Sequence, residues 1–77
     1  MTGSDKQVAW ATDIRTKCLR DWDTTFTPAT IAAGTEADFA AMREWVGNHA
    51  DARWWIDRRA SGPIHLAREA VKALQLA

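Results

Sequence analysis

Three arginines and two adjacent tryptophans fall within nine residues, Asp51-Ala52-Arg53-Trp54-Trp55-Ile56-Asp57-Arg58-Arg59. Their chemistry is recognition. An indole stacks or buries, and a guanidinium pairs with phosphate or carboxylate. Wound as a helix at about 100° per residue, the stretch divides by face. Ala52, Trp55 and Ile56 share one side. Arg53, Trp54, Asp57 and Arg58 share the other, with Arg59 at the edge of the apolar stripe. Trp54 and Arg58 are one turn apart, so the guanidinium can lie over the indole.

Bond-making constellations are missing. The four glycines are isolated, so no phosphate-cradling loop exists. Cys18 falls on an apolar stripe, where a thiol is structural. His49 and His65 sit on different elements, and His65 has Glu69 one turn later as a local partner. Two histidines and one cysteine do not form a zinc pattern. Asp5, Asp38 and Asp51 are accounted for by helix starts. The expectation is a non-enzymatic protein with no cofactor, no metal and no small-molecule substrate.

Two readings of the aromatic-basic stretch stay open. In one, Trp54 covers the edge of a small core, and its arginines pair with Asp57 and the acidic middle of the chain. In the other, Arg53, Trp54, Arg58 and Arg59 form a binding surface. That surface suits single-stranded nucleic acid, through base stacking and phosphate neutralisation. It equally suits a protein partner, because Trp and Arg dominate interface hot spots.

The elements that position these residues are helical throughout. Ser4 and Gln7 form a capping box, and a first helix is expected to about Trp22. Trp10, Ile14, Cys18 and Trp22 step by four along its expected core stripe. Lys6, Asp13, Lys17 and Arg20 gather opposite, where Lys6, Lys17 and Arg20 make a second cationic patch. Residues 23–34, rich in threonine and holding Pro28, read as a long connection with Phe26 tucked beneath it. Thr35 to Asp38 repeats the start signal for a second helix to about Val46. Gly47 or Asn48 can close that helix in the left-handed conformation. Asp51 caps a short third helix ending near Ala60. Gly62-Pro63 opens a last helix, whose apolar spacing is Ile64, Ala67, Val71 and Leu74. Met1 to Gly3 reads as a frayed lead. The predicted fold is all-α, a single domain over residues 1–77, built as a compact bundle of about four helices with a short third.

Composition narrows the partners. The 77 residues carry ten basic and ten acidic groups. Residues 24–50 hold one basic and three acidic groups, whereas 51–77 hold five basic and three acidic. A protein that coats nucleic acid is normally more basic overall, but a local patch remains open. One cysteine allows no internal disulfide. No stretch reads as a signal peptide or a membrane span, so the expected location is the cytoplasm. A small core is often supplemented by homodimerisation, with which this chain is compatible.

Two segments carry a family likeness. Gly3-Ser4-Asp5-Lys6-Gln7-Val8-Ala9-Trp10-Ala11, followed by Ile14, resembles the opening of a group of small bacterial and phage proteins. That group begins with Gly-Ser-acidic-Lys-Gln-x-x-Trp-Ala-x-x-Ile. Asp51-Ala52-Arg53, with Ile56-Asp57 and Arg59, resembles its second signature. Together the two cover about a quarter of the chain. One branch of the group consists of phage-type anti-CRISPR proteins acting on type I systems. The resemblance implies a stoichiometric inhibitor in the cytoplasm of a bacterial host. It would bind a type I effector complex, or the single-stranded DNA exposed there. The alternative is a small helical protein-interaction or regulatory module unrelated to CRISPR. Asp57 and Arg59 are expected to fasten the third helix to the first through Lys6 or Gln7.

Overall fold

A computed structural model describes residues 1–76. Four helices surround one apolar core: α1 (Asp5–Thr25), α2 (Glu36–Gly47), α3 (Ala52–Asp57) and α4 (Pro63–Leu74). The bundle is all-α, as the periodicity predicts. None of its helices is long and apolar enough to cross a membrane. α1 packs chiefly against α3, and α2 against α4.

The expected capping box starts α1. Ser4 Oγ accepts from the Gln7 N–H at 3.2 Å, and Gln7 Oε1 accepts from the Ser4 N–H at 3.0 Å. The helix continues past Trp22 to Thr25, and Thr24 there turns its hydroxyl back along the helix. That hydroxyl donates to the Arg20 and Asp21 carbonyls. Phe26 then caps the end and packs against Trp22 and Phe39, with ring centroids 4.7 and 4.9 Å away. The connection is stitched by threonine. Thr30 donates to the Thr25 carbonyl at 2.8 Å and accepts from the Thr27 N–H at 2.8 Å.

The lead is not frayed. The Thr2 N–H donates to the Ala50 carbonyl at 2.6 Å, and the Ala52 N–H donates to the Thr2 carbonyl at 2.9 Å. This isolated bridge pins the chain start beside the entrance of α3. Nor does α2 close with a left-handed residue. Asn48 has φ −86°, and the terminal carbonyl of Gly47 instead accepts from Arg15 Nε of α1 at 3.0 Å. A tertiary donor thus does the work of a local cap.

Asp51 caps α3 as expected, accepting from the Arg53 N–H at 3.0 Å. The helix ends at Asp57 rather than near Ala60. Residues 58–61 tighten into turns in which the Arg58, Arg59 and Ser61 N–H groups bond carbonyls three residues back. Ala52, Trp55 and Ile56 are buried together, as their face predicts. Trp55 is fully enclosed, and its indole N–H donates to the His49 carbonyl at 2.9 Å.

Two expectations about the core need correction. Trp10 is not in it and stands 49% exposed. Each step of four residues advances the helical angle about 40° beyond a full turn, so the row from Trp10 to Trp22 rotates by about 120°. Ala11, Ile14, Cys18, Leu19 and Trp22 face inward, and Trp10 is left about 100° from the centre of that face, at its margin. In α4 the inward residues are Leu66 and Ala70. The regularly spaced Ile64, Val71 and Leu74 are exposed.

Candidate aromatic and basic recognition site

Trp54 is partly buried, and both faces of its ring are occupied. The His49 imidazole stacks on it, centroids 3.7 Å apart and planes within 15°. The Arg58 guanidinium carbon lies 4.0 Å from the same ring. Two planar groups at those distances cannot share a face, so the indole is sandwiched. Its edges meet Trp55 at 4.8 Å and Trp45 at 6.0 Å. His49 is held by its Nδ1, 3.1 Å from the Val46 carbonyl. A carbonyl only accepts, so Nδ1 carries the proton.

The cations around Trp54 are engaged as well. Arg58 donates from Nε and Nη2 to the two carboxylate oxygens of Glu69, at 2.9 and 2.8 Å. Its Nη1 donates to the Trp54 carbonyl at 3.0 Å. This fork-to-fork pair holds the Glu69 carboxyl below its ordinary range, mainly through the Arg58 hydrogen bonds. Arg53 donates to Asp57 at 3.1 Å, one turn along α3. Both side chains of that second pair are mostly exposed, so it contributes little. A base could stack on Trp54 only by displacing His49 or Arg58. The two guanidiniums already have carboxylates.

An exposed indole beside an arginine does exist, at a different tryptophan. The guanidinium of Arg59, at the exit of α3, lies 5.5 Å from the ring centre of Trp10 on α1. This is cation–π range. Among the described residues, the Arg59 side chain otherwise bonds only through Nη1 to the Ile56 carbonyl, at 2.8 Å. The expected link from Arg59 to the first helix is therefore made, but through the Trp10 ring. Gln7 is used in the cap, and Asp57 is paired with Arg53.

Lys6, Trp10, Asp13, Lys17 and Arg20 lie three or four residues apart and are all exposed. They form one ridge of α1, about 21 Å from Lys6 to Arg20 at 1.5 Å per residue. Among the described residues, Lys6, Lys17, Arg20 and Arg59 have no carboxylate within ion-pair distance. The ridge carries three cations and one acid, and Arg59 from the exit of α3 adds a fourth cation beside Trp10, on a chain of zero net charge. Of the residues expected to bind, the structure brings Lys6, Lys17, Arg20 and Arg59 to this side. Arg53, Trp54 and Arg58 form a separate, internally satisfied cluster. The step-of-four spacing assigns Trp10 to the core and so misses it as a surface residue. Its helical angle, close to Lys6 and Lys17, is the signal that identifies it.

Cys18 is buried, and its thiol pKa is raised by that burial, with a smaller push from the nearby Asp21 charge. Such a thiol is a poor nucleophile. Among the described residues, no three His, Cys, Asp or Glu side chains converge as metal ligands do. The chain matches no protein-family model, no curated protein and no solved structure.

Proposed function

We propose that this chain is a non-enzymatic, stoichiometric inhibitor of the anti-CRISPR kind that binds a type I effector complex. The contact surface is the α1 ridge of Lys6, Trp10, Lys17 and Arg20, extended by Arg59. The observation that carries this reading is the half-exposed Trp10 indole with Arg59 over its ring, on a ridge whose cations Lys6, Lys17 and Arg20 lack carboxylate partners among the described residues. Tryptophan and arginine contribute the largest single terms to protein interfaces. Unpaired cations at the margin speed encounter with an acidic surface.

A protein target fits this surface better than free single-stranded DNA. Proteins that hold single strands use a basic groove with aromatic platforms, whereas this ridge is the convex face of one helix. The zero net charge also supplies little long-range attraction to a polyanion. The sandwiched Trp54 offers no free ring face. The cluster of Trp54, Arg53 and Arg58 then acts as the support that orients the α3 exit and Arg59.

The test is phage plating on a host with active type I immunity, with and without the protein. Purified protein is then mixed with the effector complex lacking target DNA, and with a single-stranded oligonucleotide. Restored plating and co-elution with the DNA-free complex are the expected results. Binding to the oligonucleotide alone would transfer the function to nucleic acid. No effect on plating and no co-elution would end the inhibitor reading. It would leave a helical interaction module of another kind.

A further inference from the structure

The exposed apolar residues of α4 are spaced as a helix-pairing seam. Ile64, Ala67, Val71 and Leu74 follow intervals of three, four and three. That is the a/d pattern by which one helix receives another. The core touches this face only at Ala67, which is partly buried, and the fully buried residues of α4 are Leu66 and Ala70 instead. Ile64 is 60% exposed, and Val71 and Leu74 are each 36% exposed. Across from it, Phe26, Phe39 and Met42 form a second apolar wall, enclosing an open groove of about 360 Å³ between α2 and α4.

The charges at this groove have one sign. Its only charged lining residues are Arg68 and Lys72, one turn apart on α4. Among the described residues, neither has a carboxylate within ion-pair distance. We propose that the α2–α4 groove is a docking site for an amphipathic helix with acidic flanking residues, supplied by a partner protein. Spacing favours a helix over a small amphiphile, because the apolar residues recur at helix-pairing intervals and continue past the groove. The stripe runs about 15 Å from Ile64 to Leu74 at 1.5 Å per residue, and Leu74 lies beyond the groove lining. Charge disfavours a second copy of the chain. A two-fold axis through the middle of the stripe would set Arg68 near the partner's Arg68, a like-charge contact. An acidic helix meets both cations and covers the seam through anchors at i, i+3 and i+7.

The experiment uses the full chain and a synthetic helical peptide with leucines at that spacing and glutamates on both flanks. A second peptide has every glutamate replaced by lysine. Binding is read by fluorescence anisotropy and by shifts of the Ile64 and Val71 methyl resonances. The acidic peptide is expected to bind at least tenfold more tightly than the basic one. Arg68→Glu with Lys72→Glu should reverse that order. Ile64→Ser, at an exposed position, should weaken both peptides without lowering the melting temperature. Equal affinity for the two peptides, or no saturable binding, would overturn the proposal. So would sedimentation showing a dimer that Ile64→Ser dissociates, or methyl shifts produced only by dodecanoate.

Discussion

Gly3 sits against Ala52 so closely that a Cβ on the glycine would come 3.0 Å from the alanine Cβ. Gly3 also has φ +139°, a region that L side chains rarely adopt. The two constraints act together where the chain start bridges to the entrance of α3. Gly3→Ala should therefore lower stability by about 1–3 kcal/mol, through strain and contact at once. Thermal denaturation checks this, with an expected drop in melting temperature of roughly 4–8 °C per kcal/mol for a chain of this size. An unchanged melting temperature would show that the bridge does not persist in solution.

The same geometry explains what residues 3–11 and 51–59 do in the fold. Ser4 and Gln7 cap α1, Gly3 admits Ala52, Asp51 caps α3, and Arg59 rests on Trp10. Gly3 with Ala52, and Trp10 with Arg59, join the start of the chain and α1 to α3. Trp10 and Arg59 are the pair that presents an exposed indole beside a cation.

The two tryptophans expected to behave alike should therefore separate. Trp55 is fully buried and hydrogen-bonded, so Trp55→Ala should cost about 3–5 kcal/mol and unfold most of the chain. Trp10 is half exposed, so Trp10→Ala should cost about 1 kcal/mol or less. Paired with Arg59→Ala, it should leave the circular dichroism intact and abolish co-elution with the effector complex. Loss of helical signal in that double variant would return Trp10 to the core and remove the proposed site.

How far residue spacing could be read depended on whether each answer was local. The caps, the helix count and the inward face of α3 follow from residues within one or two turns. Trp10 was misplaced because a step of four is not a full turn, and the error accumulates along a helix of 21 residues. On α4 two apolar faces coexist, and spacing alone favoured the more regular one. Only the position of α1 and α2 decides that Leu66 and Ala70 turn inward. The pairing of Arg58 with Glu69 joins residues eleven apart on consecutive elements, and no local pattern announces it. The Arg15 cap on Gly47, likewise, exists only once the helices are assembled.

Acid should weaken the fold through Glu69. Its carboxyl titrates lower in the folded chain than its ordinary value near 4.5, first because Arg58 hydrogen-bonds the ionised form. The unfolded chain therefore binds that proton first as pH falls. The stabilisation is whole above the ordinary carboxyl value and is lost as pH drops through the folded one. Arg58→Gln should flatten this part of the stability profile, and lower stability at pH 7 by about 1–3 kcal/mol. The Asp23 carboxyl is also lowered, mainly by its hydrogen bonds from Arg43. Those side chains are about half exposed, and solvent screens them. Arg43→Gln should leave the profile almost unchanged. Equal effects from the two substitutions would mean that burial of the Arg58–Glu69 pair does not matter.

The ridge cations should act on the rate of encounter more than on the lifetime of the complex. Lys17 and Arg20 lie two to three turns from Trp10, at the margin of the proposed contact, where water remains. Charges placed there steer association and are screened by salt. Lys17→Glu with Arg20→Glu should slow association with the effector complex about tenfold at low ionic strength. Dissociation should change little, and the difference should shrink as salt is raised. Trp10→Ala should show the reverse, with faster dissociation and nearly normal association, because an anchoring indole holds the formed complex. Surface plasmon resonance at two salt concentrations separates the two. If the charge-reversed variant instead dissociates faster at every salt concentration, Lys17 and Arg20 lie inside the contact. The interface then runs the length of α1 rather than centring on Trp10 and Arg59.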